Sequence, residues 1–327
     1  MKYDVIGIGN AVMDMIAPID DFFLSEMAIQ KGIMQLVELE RSDMLFHAMG
    51  KHRQIPGGSV ANTMAGCGNL GLNTAFIGKV ADDEIGRTYV RETRAAGTDC
   101  PNEPQAGSDL PSSRSMIFVS QDGERSMNTY LGFSSEVGPD DVPEDVCNEA
   151  RILFLEGYLY DKDKGKQAFE TAARLTRNAG GMAGIALSDP FCVERHRSDF
   201  RKLVKELDYV IGNEQEWKSL YQVDDLTTAL DMASGDSGLV VCTRSGKDVI
   251  LVKGHEDVTV AVTEITPVDA TGAGDQFAAG FLYGLATGAD LMTSGRMGCV
   301  AAAEVISHYG ARPEADLKDL FRQEGLI

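Results

Sequence analysis

Val268-Asp269-Ala270-Thr271-Gly272-Ala273-Gly274-Asp275-Gln276-Phe277-Ala278-Ala279-Gly280 begins as a turn rich in Asp, Thr and Gly and continues as a helix. Phe277, Phe281 and Leu285 fall at i, i+4 and i+8 on one helical face, and Gly280 and Gly284 lie on the same helix. Gly272 and Gly274 remove Cβ atoms where the turn feeds the helix, so backbone N–H groups can come close to an anion. The start of a helix leaves N–H groups unpaired and carries a partial positive charge, so a phosphate fits there. Asp275 sets a carboxylate in the first turn beside that anion site. An anion site next to a carboxylate base is what phosphoryl transfer to a hydroxyl requires. On these residues alone a second reading stands equally: Asp275 caps the helix and the glycines only make the turn.

The chain has 327 residues, which favours one large domain over residues 1–327 with a smaller appendage. Thirty basic residues against 50 acidic ones give a formal charge of −20. That balance argues against nucleic-acid partners and anionic membrane surfaces, and solubility is its plainest explanation. A nucleotide stays compatible, because a local anion site with Mg²⁺ offsets the field. The six cysteines are scattered, with no CxxC pair, so neither a zinc site nor a disulfide framework is expected. MKYDVIGIGN reads as a first strand rather than a signal peptide, and no run of 18 apolar residues exists to span a membrane. A cytoplasmic location is the expectation.

Tyr3–Ile8 reads as a buried strand running into Gly7-Ile8-Gly9-Asn10. The GxG invites a dinucleotide-binding reading, but Val12 stands where the third glycine belongs and Pro18 interrupts any helix. Asp14 lies in an apolar stretch where an unpaired carboxylate is expensive, so it either meets a positive partner or faces a cleft and binds hydroxyls. Ile33–Leu39, Ser115–Ser120 and Ser126–Tyr130 look like short strands, the last two joined through Asp122-Gly123, a hairpin signal. They form a separate small sheet built from two excursions. In Gln54–Leu72 the pair Gly57-Gly58 gives close backbone approach, Ser59 is placed to cap a helix, and Gly71 ends it. Gly78-Lys79 imitates a P-loop, but Asn73 and Val80 occupy its key positions, and Thr74–Val80 reads as a strand. Pro101–Pro111 is a linker-like loop.

From Arg151 strands and helices alternate: strands at Ile152–Glu156, Gly184–Leu187, Tyr209–Gly212 and Gly238–Thr243, and helices at Lys164–Asn178, Arg197–Glu206 and Glu214–Tyr221. The alternation predicts a parallel sheet with helices on both faces and ligands beyond the carboxyl ends of its strands. Asp189, then Asn213 with Glu216, then Thr243-Arg244-Ser245-Gly246 fall at those ends. Asn213 and Glu216 make a capping box, or hold water around Mg²⁺ near phosphates.

These residues resemble the ribokinase-like (PfkB) carbohydrate and nucleoside kinases. DATGAGDQFAAG is similar to that family's C-terminal signature, and GGSVANTMAGCGNLG followed by FIGKVADDEIG to its N-terminal one. Asn213-Glu214-Gln215-Glu216 resembles its NxxE motif, and Gly9-Asn10 with Asp14 its first strand and substrate-binding Asp. The motifs stand in family order and span most of the chain. The resemblance implies a doubly wound α/β domain, a mostly parallel sheet with helices on both faces, and a small β-sheet lid at about residues 13–39 and 112–133. It implies that Asp14, Gly57, Gly58 and Asn62 hold substrate hydroxyls, that Gly272, Ala273 and Gly274 supply the anion hole, and that Asp275 deprotonates the attacking hydroxyl. Thr243, Ser245 and Gly246 would lie along ATP, with Asn213 and Glu216 near Mg²⁺, Glu216 through water. Arg125 resembles a lid arginine that approaches the transferred phosphoryl, although a solvated hairpin charge is the alternative. Asp269 and Thr271 match positions that hold a monovalent cation such as K⁺ in some members, while Ala270 departs from the commoner Thr. His308 either lies near the ATP base or is a packing histidine.

Ser59 after the paired glycines, Tyr130-Leu131-Gly132 and the tail Ile306–Pro313 resemble the adenosine kinase branch. The expectation is ATP-dependent phosphorylation of a primary hydroxyl, the 5′-OH of adenosine foremost, as in purine salvage. A sugar kinase acting on ribose, fructose or a keto-deoxy sugar acid is the second reading, and a non-catalytic nucleotide sensor the third. The chain is expected to be a monomer or a homodimer paired through the exposed edge of the lid sheet.

Overall fold

The computed structural model describes residues 1–262 and 265–327. Its strands are β1 (Tyr3–Ile8), β2 (Val12–Pro18), β3 (Met34–Leu36), β4 (Arg53–Gly57), β5 (Thr74–Ile77), β6 (Thr98–Asp99), β7 (Ser113–Val119), β8 (Arg125–Tyr130), β9 (Ala150–Glu156), β10 (Met182–Ala186), β11 (Tyr209–Asn213), β12 (Val240–Arg244), β13 (Lys247–Lys253) and β14 (Glu256–Val260). Among the described residues they form a nine-stranded sheet in the order β14-β13-β12-β11-β10-β9-β1-β5-β6 and a five-stranded sheet in the order β3-β8-β7-β2-β4. In the large sheet every pairing from β12 across to β6 is parallel, and the β12–β13 and β13–β14 pairings are antiparallel.

Burial on both sides follows from the strand period of two. On β9, Leu153 and Leu155 pack with Phe169 and Trp217 on one face. Ile152 and Phe154 pack with Phe277 and Phe281 on the other. The chain order reverses where β9 and β5 flank β1, so the crevice of a doubly wound sheet opens beyond Ile8 and Glu156. No helix among the described residues is long and apolar enough to cross a membrane.

The small sheet extends further than the two expected excursions. Besides β2 and β3 it takes β4, which pairs antiparallel with β2 from Val12↔Gly57 to Ile16↔Arg53. The β7–β8 hairpin turns at Asp122-Gly123, with Gly123 in the left-handed region at φ +87°. The helices Asp21–Glu26 and Leu39–Ala48 cover one face of this sheet, where Leu24, Leu45, Met13, Met15 and Phe118 are buried. Asp14 and Ile16 alternate with those methionines, so they point to the opposite face, which lines a cavity.

β4 ends in the glycine pair that starts the Ser59–Asn69 helix. Gly58, not Ser59, is the N-cap of that helix, and it makes no side-chain cap bond. Its φ is +99°, and a Cβ there would stand 2.2 Å from the backbone oxygen of Asn10. Neither the backbone conformation nor the contact tolerates a side chain. Gly58→Ala should therefore lower unfolding stability by about 2–3 kcal/mol in urea titrations. A loss below ~0.5 kcal/mol would show that the β1 end relaxes freely.

Candidate active site

Two cavities lie near the Ala273–Thr287 helix, and the smaller one is lined by its first turn. The larger, about 900 Å³, lies between the small sheet and the tail Tyr309–Glu314, with Asp14, Asn62, Arg125 and Arg312 in its wall. The smaller, about 150 Å³, lies over the strand ends and is bounded by Gly274, Asp275, Asn213, Glu216, Thr243 and Ser59 among others. Asp275 lines the smaller one, and its hydrogen-bond partner Asn62 lines the larger, so the carboxylate stands in the partition.

Asp275 is held at both oxygens. Ser59 Oγ donates to Oδ1 at 2.7 Å, and Asn62 Nδ2 donates to Oδ2 at 3.1 Å. Ser59 and Asn62 stand three apart on one helix, hence on one face toward Asp275. Burial pushes the Asp275 carboxyl up to about 6, against these two hydrogen bonds, which favour the ionised form. Asp275 is not the helix cap; the N-cap is Gly272.

The turn before it works differently from a run of three free amides. Ala273 donates its N–H back to the Ala270 carbonyl at 3.3 Å. Among the described residues the Gly274 and Asp275 amides have no such backbone acceptor, and a Cβ on Gly274 would meet only open space. Gly272 is glycine for another reason: φ is +78°, and a Cβ would stand 2.6 Å from Ala311 Cα in the tail. Of the amides of residues 272–275, those of Gly272, Gly274 and Asp275 have no protein acceptor among the described residues, and the helix field lies behind them.

Asp14 faces the large cavity, and among the described residues its carboxylate accepts no hydrogen bond. Burial raises it to about 7, the charges of Arg125 and Arg312 pull it back, and Asp275 adds to the rise. Gly57 leaves the space this carboxylate occupies, since a Cβ would come within 2.4 Å of Asp14 Oδ2. An unpartnered carboxylate in a cavity wall is suited to receive hydroxyl donors.

Asn213 and Glu216 form the reciprocal capping box. Asn213 Oδ1 accepts from the Gln215 and Glu216 amides, each at 2.9 Å, and Glu216 accepts from the Asn213 amide at 2.8 Å and from its side-chain nitrogen at 2.6 Å. The pair also borders the smaller cavity. Burial raises Glu216 to about 7. Both of its oxygens are taken, which fits a role through water better than direct metal ligation. Among the described residues no three His, Cys, Asp or Glu side chains converge as a metal site.

Other expected positions lie elsewhere. Thr243 borders the smaller cavity, but Ser245 and Gly246 belong to the β12–β13 turn and border neither. His308 also borders neither; its Nε2 meets Glu304 Oε1 at 3.2 Å, the packing alternative. Asp269 is paired with Arg125, and it accepts from the Thr271 and Gly310 amides, each at 3.0 Å. These hydrogen bonds and the Arg125 charge hold it below the usual carboxylate range despite burial. Three donors thus occupy three of the roughly four acceptor directions of this carboxylate. Arg125 is not a solvated hairpin charge: its side chain is 9% exposed and it borders the larger cavity.

Four residues of the site went unread. Ser59 was expected to cap its helix and instead holds Asp275. Glu156, at the buried end of β9, accepts from the Asn10 amide at 3.2 Å, from Asn10 Nδ2 at 2.7 Å and from the Val60 amide at 3.3 Å. It fills the crevice beside Gly9, where a Cβ would stand 2.4 Å from its Oε2, so the GxG turn makes room for a carboxylate of the chain itself. A carboxylate closing an apolar strand was the available signal, the same one that singled out Asp14. Gln276 donates to the backbone oxygens of Asn62 at 3.0 Å and Ala311 at 2.9 Å, tying the tail to both helices. Arg312 donates from Nε to Asn62 Oδ1 at 3.3 Å.

Comparison with known proteins is consistent with this geometry. Residues 29–317 match the model of the pfkB family carbohydrate kinases. The solved structure of adenosine kinase from Sinorhizobium meliloti superposes with a TM-score of 0.91 at 42% identity, covering 99% of this chain and 100% of that one. An uncharacterized sugar kinase of Archaeoglobus fulgidus is 30% identical over 76% of this chain and 96% of its own length. The 5-dehydro-2-deoxygluconokinase of Geobacillus thermodenitrificans is 28% identical over 82% of this chain and 84% of its own length. The chain belongs to the pfkB family of carbohydrate kinases, a sugar or nucleoside kinase built on the ribokinase-like fold.

Proposed function

We propose that the protein transfers the γ-phosphoryl of ATP to the 5′-hydroxyl of adenosine. The observation that carries phosphoryl transfer is the place of Asp275, in the partition between a large cavity and a small one at a helix N-terminus. The acceptor would occupy the large cavity with its hydroxyls on Asp14 and its reacting oxygen at Asp275. The polyphosphate would occupy the small one against the Gly274 amide. The hydroxyl oxygen forms its bond to phosphorus as the bond to the leaving ADP oxygen breaks, and the hydroxyl proton passes to Asp275. Because that proton leaves late in a loose transition state, orientation by Ser59 and Asn62 matters more than basicity. Mg²⁺ would neutralise phosphate charge, with Asn213 and Glu216 reaching its water.

The adenosine reading is favoured by whole-length similarity to the Sinorhizobium meliloti enzyme at 42% identity. Flat apolar wall residues of the large cavity, Ile16, Ile55, Pro56 and Val119, suit a base. A sugar kinase is the second reading, supported by the relatives named for sugar substrates. A coupled ADP-release assay across nucleosides, pentoses, hexoses and a keto-deoxy sugar acid separates the two. Adenosine should give the highest kcat/KM. A sugar turned over faster would overturn the nucleoside reading. No ADP release with any acceptor in the panel would leave a nucleotide-binding sensor.

A further inference from the structure

We propose that Arg312 is a positioning residue of this site: its guanidinium fixes the Asn62 amide against Asp275 and supplies the positive charge that holds Asp14 ready for substrate hydroxyls. The inference rests on the phosphoryl-transfer reading and adds a residue to it.

The Asn62 side chain has one acceptor oxygen and one donor nitrogen. Arg312 Nε donates to the oxygen at 3.3 Å, and the nitrogen donates to Asp275 Oδ2 at 3.1 Å. Turning the amide over would set its oxygen against a carboxylate and its nitrogen against a guanidinium. Arg312 thus decides which end of Asn62 faces Asp275, and so fixes one of the two bonds that aim it.

Arg312 is also a cation in the large cavity wall, beside Asp14, that no carboxylate neutralises among the described residues. Arg125 is neutralised by Asp269, whereas among the described residues Arg312 has no carboxylate partner and its buried Nη2 has no acceptor. Its charge acts on Asp14. The charged and titratable groups facing Asp14 are Arg125 from β8, Arg312 from the tail, Asp275 from the Ala273–Thr287 helix and Tyr89 from the Glu84–Ala95 helix. Lys51, His52, Arg53 and Glu314 stand farther along the same cavity.

The tail is clamped on both sides of Arg312. The Gly310 amide donates to Asp269, and the Ala311 carbonyl accepts from Gln276 and packs on Gly272. Beyond it, the Glu314 and Ala315 amides donate to Glu304 Oε1 at 2.9 and 2.8 Å. The stretch that carries Asp275 therefore also holds the residue that orients it.

The test uses Arg312→Met, which keeps length without charge, and Arg312→Lys, which keeps charge without the planar fork. The acceptor is whichever compound gives the highest kcat/KM in the panel above, and Asp275→Asn is measured in parallel. At pH 7 Arg312→Met should raise the acceptor KM by about tenfold and move the acid limb of kcat/KM to higher pH, because the cation opposing protonation of Asp14 is gone. The KM for ATP should stay put. Arg312→Lys should restore the acid limb but leave kcat low; it reads the same division should the Met variant not fold. An unmoved KM and acid limb in Arg312→Met overturns the proposal, as does a loss confined to thermal stability or active fraction, which marks a packing role. If Asp275→Asn is inactive while Arg312→Met behaves as wild type, only the Arg312 role fails. If Asp275→Asn is fully active, the reading beneath it fails as well.

Discussion

Asp275→Asn should cut kcat by on the order of 10³–10⁴ while leaving acceptor and ATP KM within a few-fold of wild type. The substitution keeps the shape of a group already held at both oxygens by Ser59 and Asn62, so binding on either side of the partition has little reason to change. What disappears is the proton acceptor. The amide also presents an NH₂ to one of two donors, which loosens the orientation that a late proton transfer depends on. Folding should not suffer. Burial raises this carboxyl to about 6, above its unfolded value, so its contribution favours the native state below about pH 4 and is lost as pH rises to about 6. At pH 8 the wild type carries the cost of a buried ionised carboxylate, and the asparagine variant does not. Its Tm at pH 8 should be at or above that of wild type, and the wild-type kcat should fall as pH drops through about 6. A variant rate within tenfold of wild type would remove Asp275 from the reaction.

The large sheet was legible because each strand from β9 to β11 is an apolar run with a helix of clear period after it. β4 was hidden by its own composition. Arg53-Gln54-Ile55-Pro56-Gly57 carries a proline and a glycine and no alternating apolar pattern, and it is a strand at the edge of the small sheet, where a proline removes no ladder bond. β13 and β14 continue the sheet antiparallel after a turn at Ser245, so the sheet runs two strands beyond the last one expected, Gly238–Thr243. In the site, groups announced by a local pattern were visible: the helix start at Asp275, the paired glycines, the box at Asn213 and Glu216. Partnerships made only in three dimensions were not. Ser59 meets Asp275 across 216 positions, Arg312 meets Asn62 across 250, and Asp269 meets Arg125 across 144. No spacing rule links such pairs. The last of them gives Asp269 an arginine as counter-charge, a partner that its turn sequence does not announce.

Asp14→Ala should raise the acceptor KM and lower kcat/KM by on the order of 10²–10³, about 3–4 kcal/mol, with kcat at saturation and the KM for ATP much less affected. Among the described residues both oxygens of this carboxylate, in the large cavity wall, are free of protein donors, and two hydroxyls on adjacent ring carbons would meet both. The loss follows from two charge-assisted hydrogen bonds. A packing loss would instead appear as lowered stability with an unchanged acceptor KM, because the carboxylate rests against Gly57. Asp14→Asn keeps the volume but turns one oxygen into a donor, so it should recover only part of the affinity. The acid limb gives an independent check: Asp14 titrates near 7, and wild-type kcat/KM should climb through that range as hydroxyl binding switches on. In Asp14→Asn the limb should retreat toward about 6, where Asp275 alone remains to be ionised. A double cycle with 2′,3′-dideoxyadenosine names the contact. If Asp14 holds the ribose diol, removing both hydroxyls should weaken wild type strongly and the alanine variant hardly further, so the two losses fail to add. Additive losses, or an unchanged nucleoside KM in Asp14→Ala, would place the diol on some other group in the cavity.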